Sequence, residues 1–191
     1  MKTGLFFGSF NPVHIAHMAL GNYMLEYTEV EEIWFVISPH NPFKARDTLL
    51  NQFQRLEMVK MSIDDHPKMK AIDVEFNLPQ PSYTIDTLNY LSENYKDKQF
   101  YIIMGADGVN YIHRWKDADI IIKNYKRLVY PRPFVKIEKE ENMENAELVA
   151  APLIEISSSF IRDSIKIGKD MKFYLPNRVY EYIKNMGFYR N

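Results

Sequence analysis

At 191 residues, with 46% hydrophobic and 14% aromatic content, the chain is long enough to bury one core and too apolar to be disordered. The absence of cysteine excludes disulfides, thiolate catalysis and cysteine-based metal sites. A formal net charge of −1, no basic-then-apolar leader and no apolar run of membrane length lead us to expect one cytoplasmic domain, residues 1–191, without nucleic-acid or membrane partners.

Residues 3–7, Thr-Gly-Leu-Phe-Phe, predict a buried opening strand. Gly8-Ser9 then forces a sharp turn, and Asn11-Pro12 adds a turn signal that pre-sets a helix start. His14 and His17 are three apart, so a helix running to about Tyr27 puts both imidazoles on one face of its first turn. Backbone N–H groups, the positive helix end and two imidazoles would converge there, which suits a phosphate. Zinc would need further ligands around the two histidines, and no such motif occurs, so no protein-held metal site is expected.

Residues 32–37 predict a second strand, covered on both faces. The proline-punctuated loop Ser38-Pro39-His40-Asn41-Pro42-Phe43-Lys44 leaves its carboxyl end, where open α/β sheets hold ligands, which makes Lys44 a candidate phosphate contact. Residues 48–63 predict a helix with Phe53, Leu56, Met58, Val59 and Ile63 inward and Arg55, Glu57 and Lys60 mostly outward. Residues 70–76 alternate as a strand does, and Ser82 or Thr84 caps a helix running to about Tyr95.

The next predicted strand, residues 99–104, ends in Gly105-Ala106-Asp107-Gly108. Gly105 permits close approach of a ligand, while Asp107 suits an acceptor or a helix cap. Tyr111 and Trp115, four apart, fall on one helical face. Residues 126–130 predict a strand exiting into Pro131-Arg132-Pro133, the acid-rich stretch 138–147 a solvated connector, and residues 148–152 a last short strand. Ile156-Ser157-Ser158-Ser159-Phe160-Ile161-Arg162 opens a helix whose N–H groups, hydroxyls and guanidinium would form a second anion site. A proline-started helix from Pro176 closes the chain. The alternation implies an α/β fold, a doubly wound, Rossmann-like parallel sheet of about five or six strands.

These motifs carry a resemblance. Gly8-Ser9-Phe10-Asn11-Pro12-Val13-His14-Ile15-Ala16-His17 resembles the phosphate-binding signature of the HxGH nucleotidylyltransferases. The segments Pro81-Ser82-Tyr83-Thr84-Ile85-Asp86-Thr87, Gly105-Ala106-Asp107 with Arg114-Trp115, and Ile156 to Arg162 are similar to those of one branch, the bacterial nicotinate mononucleotide adenylyltransferases. Phe7 and Ala16 stand where the signature commonly has glycine, and Ser159 stands for threonine with its hydroxyl kept. The resemblance implies one nucleotidylyltransferase domain that transfers the adenylyl group of ATP to nicotinate mononucleotide, giving nicotinate adenine dinucleotide and pyrophosphate in NAD biosynthesis. It implies catalysis by His14, His17, Lys44 and Arg162, and ATP held by Gly8, Ser9, Phe10, Gly105, Asp107, Ile156, Ser157, Ser158 and Ser159. The mononucleotide would meet Asn11, Lys44, Thr84, Tyr111 and Trp115, with Trp115 stacked on the pyridine ring, and Mg²⁺ would arrive on the ATP phosphates. The alternatives are nicotinamide mononucleotide or another phosphate acceptor such as pantetheine phosphate, and, from another class, a non-catalytic nucleotide sensor. Monomer and homo-oligomer both stay open.

Overall fold

Residues 1–39, 49–64 and 66–190 are described by the computed structural model. Six strands, β1 (Lys2–Gly8), β2 (Glu32–Ile37), β3 (Met69–Ile72), β4 (Gln99–Gly105), β5 (Arg127–Tyr130) and β6 (Ala146–Leu148), form one sheet in the order β3-β2-β1-β4-β5-β6. Every neighbouring pair is parallel. The order reverses between β1 and β4, the switch point outside whose carboxyl ends such sheets bind ligands.

Period-two alternation splits the strands between two cores. Phe6, Phe35, Ile103 and Leu128 belong to one cluster, while their neighbours Leu5, Trp34, Ile102 and Val129 belong to the other. The first lies under helices α1 (Ile15–Tyr27), α2 (Gln52–Ile63), α6 (Ser158–Lys166) and α7 (Asn177–Met186), which bury Met24, Met58, Ile161 and Val179 in it. The second lies under α3 (Thr84–Asn94), α4 (Ala106–Asn110) and α5 (Ala118–Asn124), through Leu88, Val109 and Ile121. Burial on both faces is why the strands read as continuous apolar runs.

Several boundaries differ from the sequence-based expectation. α2 starts at Gln52, because the Asn51 side chain caps it by accepting from the Phe53 N–H at 2.9 Å; residue 48 lies outside the described residues. β3 stops at Ile72, and Val74–Phe76 is a 3₁₀ turn that buries the Glu75 carboxylate against the Ser82 and Thr87 hydroxyls, 2.9 Å from each. Ser82 is therefore engaged with Glu75, and α3 begins after Tyr83 with no side-chain cap. The acid-rich connector is exposed along most of its length, as expected, but it is anchored rather than loose. Buried Arg127 donates to the Asn142 carbonyl at 2.8 Å and to that of Glu144, and the stretch ends in β6, so the last strand is 146–148 rather than 148–152. α5 leaves little helical signal in the sequence, since its Ile120-Ile121-Ile122 run is β-branched.

Arg55 was expected to face outward and is instead fully buried. Its guanidinium donates to the carbonyls of Ser9 (2.6 Å), Ser38 (2.8 Å), Pro39 (2.9 Å) and Leu50 (2.9 Å). It thereby ties the exits of β1 and β2 to the start of α2. Burial pulls its pKa down to about 10, so it is charged at neutral pH. Replacing it with methionine strands four partly buried carbonyl groups and should cost about 3 kcal/mol, a loss of roughly 6–12 °C in thermal midpoint. An unchanged midpoint for Arg55→Met in a thermal melt would show that these loops hold themselves.

Candidate active site

Two adjoining cavities open at the carboxyl ends of β1, β4 and β5. The first, about 380 Å³, is lined by Ser9, Asn11, His14, His17, Arg132, the serines 157–159 and Arg162, over an apolar wall that includes Ala16 and Ile156. Among the described residues no carboxylate lines it. Two guanidinium groups, two imidazoles and four serines around one space make a receptor for anions.

The chain between β1 and α1 is folded back on itself. Phe10 adopts a left-handed backbone with φ 46°, and its buried ring covers Gly8 so closely that a Cβ there would fall 2.8 Å from it. Gly8 is thus needed for the Phe10 ring, and Phe10 lines neither cavity with its side chain. α6 docks onto this turn. The Ser158 hydroxyl donates to the Pro12 carbonyl at 2.9 Å, and Arg162 Nη1 donates to the Asn11 carbonyl at 2.8 Å. Ser157 is the N-cap of α6, accepting from the Phe160 N–H at 3.2 Å, as the serine run predicted. Asn11 Oδ1 accepts from the Leu50 N–H and from the Tyr189 hydroxyl, at 3.3 and 2.9 Å.

His14 is the N-cap of α1 and His17 its third helical residue, so the helix begins three residues after Pro12. The His14 N–H donates to His17 Nδ1 at 3.2 Å. That bond places the proton of a neutral His17 ring on Nε2. The two rings overlap, with centroids 3.8 Å apart and planes 30° from parallel. His14 is buried and its Nδ1 has no hydrogen-bond partner. Burial, assisted by the positive charge of Arg132, pulls its pKa down to about 4, so at neutral pH it is an uncharged ring.

The second cavity, about 300 Å³, takes in Phe7, Gly8, Tyr83, Thr84, Met104, Gly105, Asp107 and Trp115. Its aromatic walls suit a flat ring. Gly105 makes room for polar neighbours, since a Cβ there would lie 2.4 Å from Asp107 Oδ1 and 2.9 Å from Arg132 Nε. Gly105 and Asp107, expected beside ATP, therefore border the second cavity. Tyr111 and Trp115 do not share a helical face: α4 ends at Asn110, a 3₁₀ turn covers Ile112–Arg114, and Trp115 is extended. Tyr111 is exposed under the Arg114 guanidinium and lines neither cavity, whereas Trp115 does line the second. Lys44 lies outside the described residues.

Sequence reasoning passed over two residues here. Glu75 is a buried carboxylate at the edge of the second cavity, and burial pushes its pKa up. Its alternation with apolar neighbours disguised it as an outward strand position. Arg132 lines both cavities, and the rule that singled out Lys44, a cation in the loop leaving a parallel strand, applies equally to it.

A doubly wound parallel sheet whose switch point carries a histidine-bearing anion cavity beside an aromatic one is the plan of a nucleotidyltransferase. The sequence matches the model of the cytidylyltransferase-like family over residues 5–164, and the chain belongs to that family. It is 42% identical over 192 residues to the probable nicotinate-nucleotide adenylyltransferase of Flavobacterium psychrophilum and 44% identical over 192 residues to that of Flavobacterium johnsoniae, covering 100% of each chain in both cases. Against the same protein of Bacteroides thetaiotaomicron it is 44% identical over 184 residues, 96% of this chain and 91% of that one. The fold is that of Plasmodium falciparum nicotinic acid mononucleotide adenylyltransferase complexed with NaAD, with TM-score 0.80 and 22% identity over 98% of this chain and 97% of that one. A putative nicotinate-nucleotide adenylyltransferase from Vibrio parahaemolyticus gives TM-score 0.75 at 20% identity, covering 100% and 96%. Within the cytidylyltransferase-like proteins, the chain is a member of the nicotinate-nucleotide adenylyltransferase family.

A pH dependence follows from His14. Its native pKa lies below the unfolded value, so its contribution to stability is complete above about pH 6.5 and is lost as pH falls toward 4. Protonation of the buried ring should remove roughly 3 kcal/mol. Urea midpoints measured from pH 7 to pH 4.5 should fall less steeply in His14→Gln than in the parent, and parallel curves would refute the burial argument.

Proposed function

We propose that the chain transfers the adenylyl group of ATP to the phosphate of nicotinate mononucleotide, releasing pyrophosphate and forming nicotinate adenine dinucleotide. One observation carries this reading: an anion cavity lined by no carboxylate among the described residues adjoins an aromatic cavity, and Ser9, Tyr130 and Arg132 line both. ATP phosphates suit the first and a pyridine ring the second. α3 presents its N-terminus at Thr84 with no side-chain cap, and a helix start of this kind favours a carboxylate over an amide. That favours the acid over nicotinamide mononucleotide.

The acceptor is already an ionised phosphate, so no general base and no covalent enzyme intermediate is required. A phosphate oxygen attacks the α-phosphorus and pyrophosphate leaves with the electron pair. The protein aligns the reactants and stabilises the charge that gathers on the leaving group. Neutral His14 serves as a hydrogen-bond donor rather than a cation, and His17, whose Nδ1 accepts from the His14 N–H, offers Nε2–H as another donor. Ser158 and Arg162 hold the α6 N-terminus against the turn that bears them. Lys44 is proposed as a further phosphate contact.

The donor set suits magnesium only as a counterion carried in by ATP. Among the described residues the first cavity offers it no carboxylate, and Asp107 at the second faces Arg132. Bound to phosphate oxygens, Mg²⁺ would neutralise part of their charge. The cytoplasm, where ATP is plentiful, is the proposed compartment.

Pyrophosphate release from ATP and Mg²⁺ should be rapid with nicotinate mononucleotide and slow with nicotinamide mononucleotide or pantetheine phosphate. Release with the amide alone would overturn the acceptor assignment, and tight ATP binding with no release would identify a sensor. His17→Ala should lower kcat by about 10²-fold or more, the scale of losing one transition-state donor. Near-normal turnover in that variant would remove His17 from the mechanism.

A further inference from the structure

The two cavities must be joined by whatever stands where the substrate phosphates meet. Among the described residues, Ser9, Tyr130 and Arg132 line both, and only Arg132 is charged. The other cations keep to one side: Arg162 lines the first cavity, Arg114 and Lys116 the second. Arg132 is also held in place. Its guanidinium lies over the Tyr130 ring, 5.2 Å from the centroid, and donates through Nη2 to the Tyr130 hydroxyl at 3.2 Å. Its Nε is buried and makes no hydrogen bond; Asp107 Oδ1, 3.4 Å away, supplies charge without the alignment of one. Gly105 leaves room for both side chains, since a Cβ there would lie 2.4 Å from Asp107 Oδ1 and 2.9 Å from Arg132 Nε.

We propose that Arg132 is a catalytic residue, the cation that contacts the phosphates of both substrates at the junction of the two cavities. The inference rests on the adenylyl-transfer reading. In that reaction an oxygen of the mononucleotide phosphate bonds to the α-phosphorus while the bond from α-phosphorus to the β-bridging oxygen breaks. Pyrophosphate carries away the electron pair, and no proton has to move. Two anions must first be brought into contact, and their repulsion grows in a cleft that excludes water. A planar guanidinium can give one N–H to an oxygen of each phosphate at once, which an ammonium ion does less well.

The test compares Arg132→Met and Arg132→Lys with the parent, using initial rates with both substrates varied, thermal midpoints, and calorimetric binding of the dinucleotide. Arg132→Met should lower kcat by about 10²-fold and raise KM for ATP and for the mononucleotide alike. Dinucleotide affinity should fall about tenfold or more, with the thermal midpoint unchanged. Arg132→Lys should recover part of the rate, and added guanidinium ion should rescue Arg132→Met. Activity of Arg132→Met within a factor of about two would overturn the proposal. So would a rise in one substrate's KM with kcat unchanged, or a lowered thermal midpoint without rescue. Failure of the transferase reading looks different, because the parent itself would then release no pyrophosphate. Dinucleotide affinity of Arg132→Met would still decide whether Arg132 spans the junction: a retained affinity overturns it and a lost one upholds it.

Discussion

One buried cation organises the ligand-binding end of the sheet. Arg55 sits where no carboxylate answers it among the described residues, and four backbone carbonyls take that place. Desolvating a guanidinium is costly, and only a full set of charge-assisted hydrogen bonds offsets the cost. The carbonyls belong to loops with little secondary structure of their own, so the cation does for them what a ladder does for a strand. With Ser9 fixed from beneath, the chain can hold Phe10 in a left-handed conformation and present His14 at the head of α1.

The distribution of charge along the strands follows the same logic. At the amino-terminal ends, acids and bases neutralise one another: Glu32 accepts from the Thr3 hydroxyl and pairs with Lys98, and Glu29 pairs with Lys2 and Lys126. The exposed pairs among these contribute little to stability. At the carboxyl ends the balance is left open toward one cavity, where Arg132 and Arg162 stand with histidines and serines. A protein of nearly zero net charge can therefore still hold a triphosphate, because binding depends on the local field and not on the sum.

The histidine pair shows how geometry sets chemistry. Two imidazoles at this spacing could have been two cations, yet burial and Arg132 keep His14 neutral, and the His14 N–H orients the His17 ring. Neutral donors can stabilise a developing charge without first having to bind it as a counterion.

Much of this was legible along the chain. The parallel sheet, the phosphate-suited turn before α1 and the serine-capped α6 all depend on local pattern: apolar runs, a glycine and proline turn, and hydroxyls ahead of a periodic stretch. Such signals survive because strand and helix propensities and caps act over a few residues. What the chain alone did not decide depends on partners distant in sequence. Arg55 and Glu75 read as outward charges because periodicity carries no information about the carbonyls or hydroxyls that would receive them after folding. Tyr111 and Trp115 parted because α4 ended one residue before Tyr111. Arg132 carries the same loop-cation signal as Lys44, but only the pairing of β5 with β4 puts its guanidinium between two cavities. Local sequence determined which elements form, and only tertiary structure decided which charges could be buried, since a buried charge is tolerated solely where the rest of the fold supplies its hydrogen bonds.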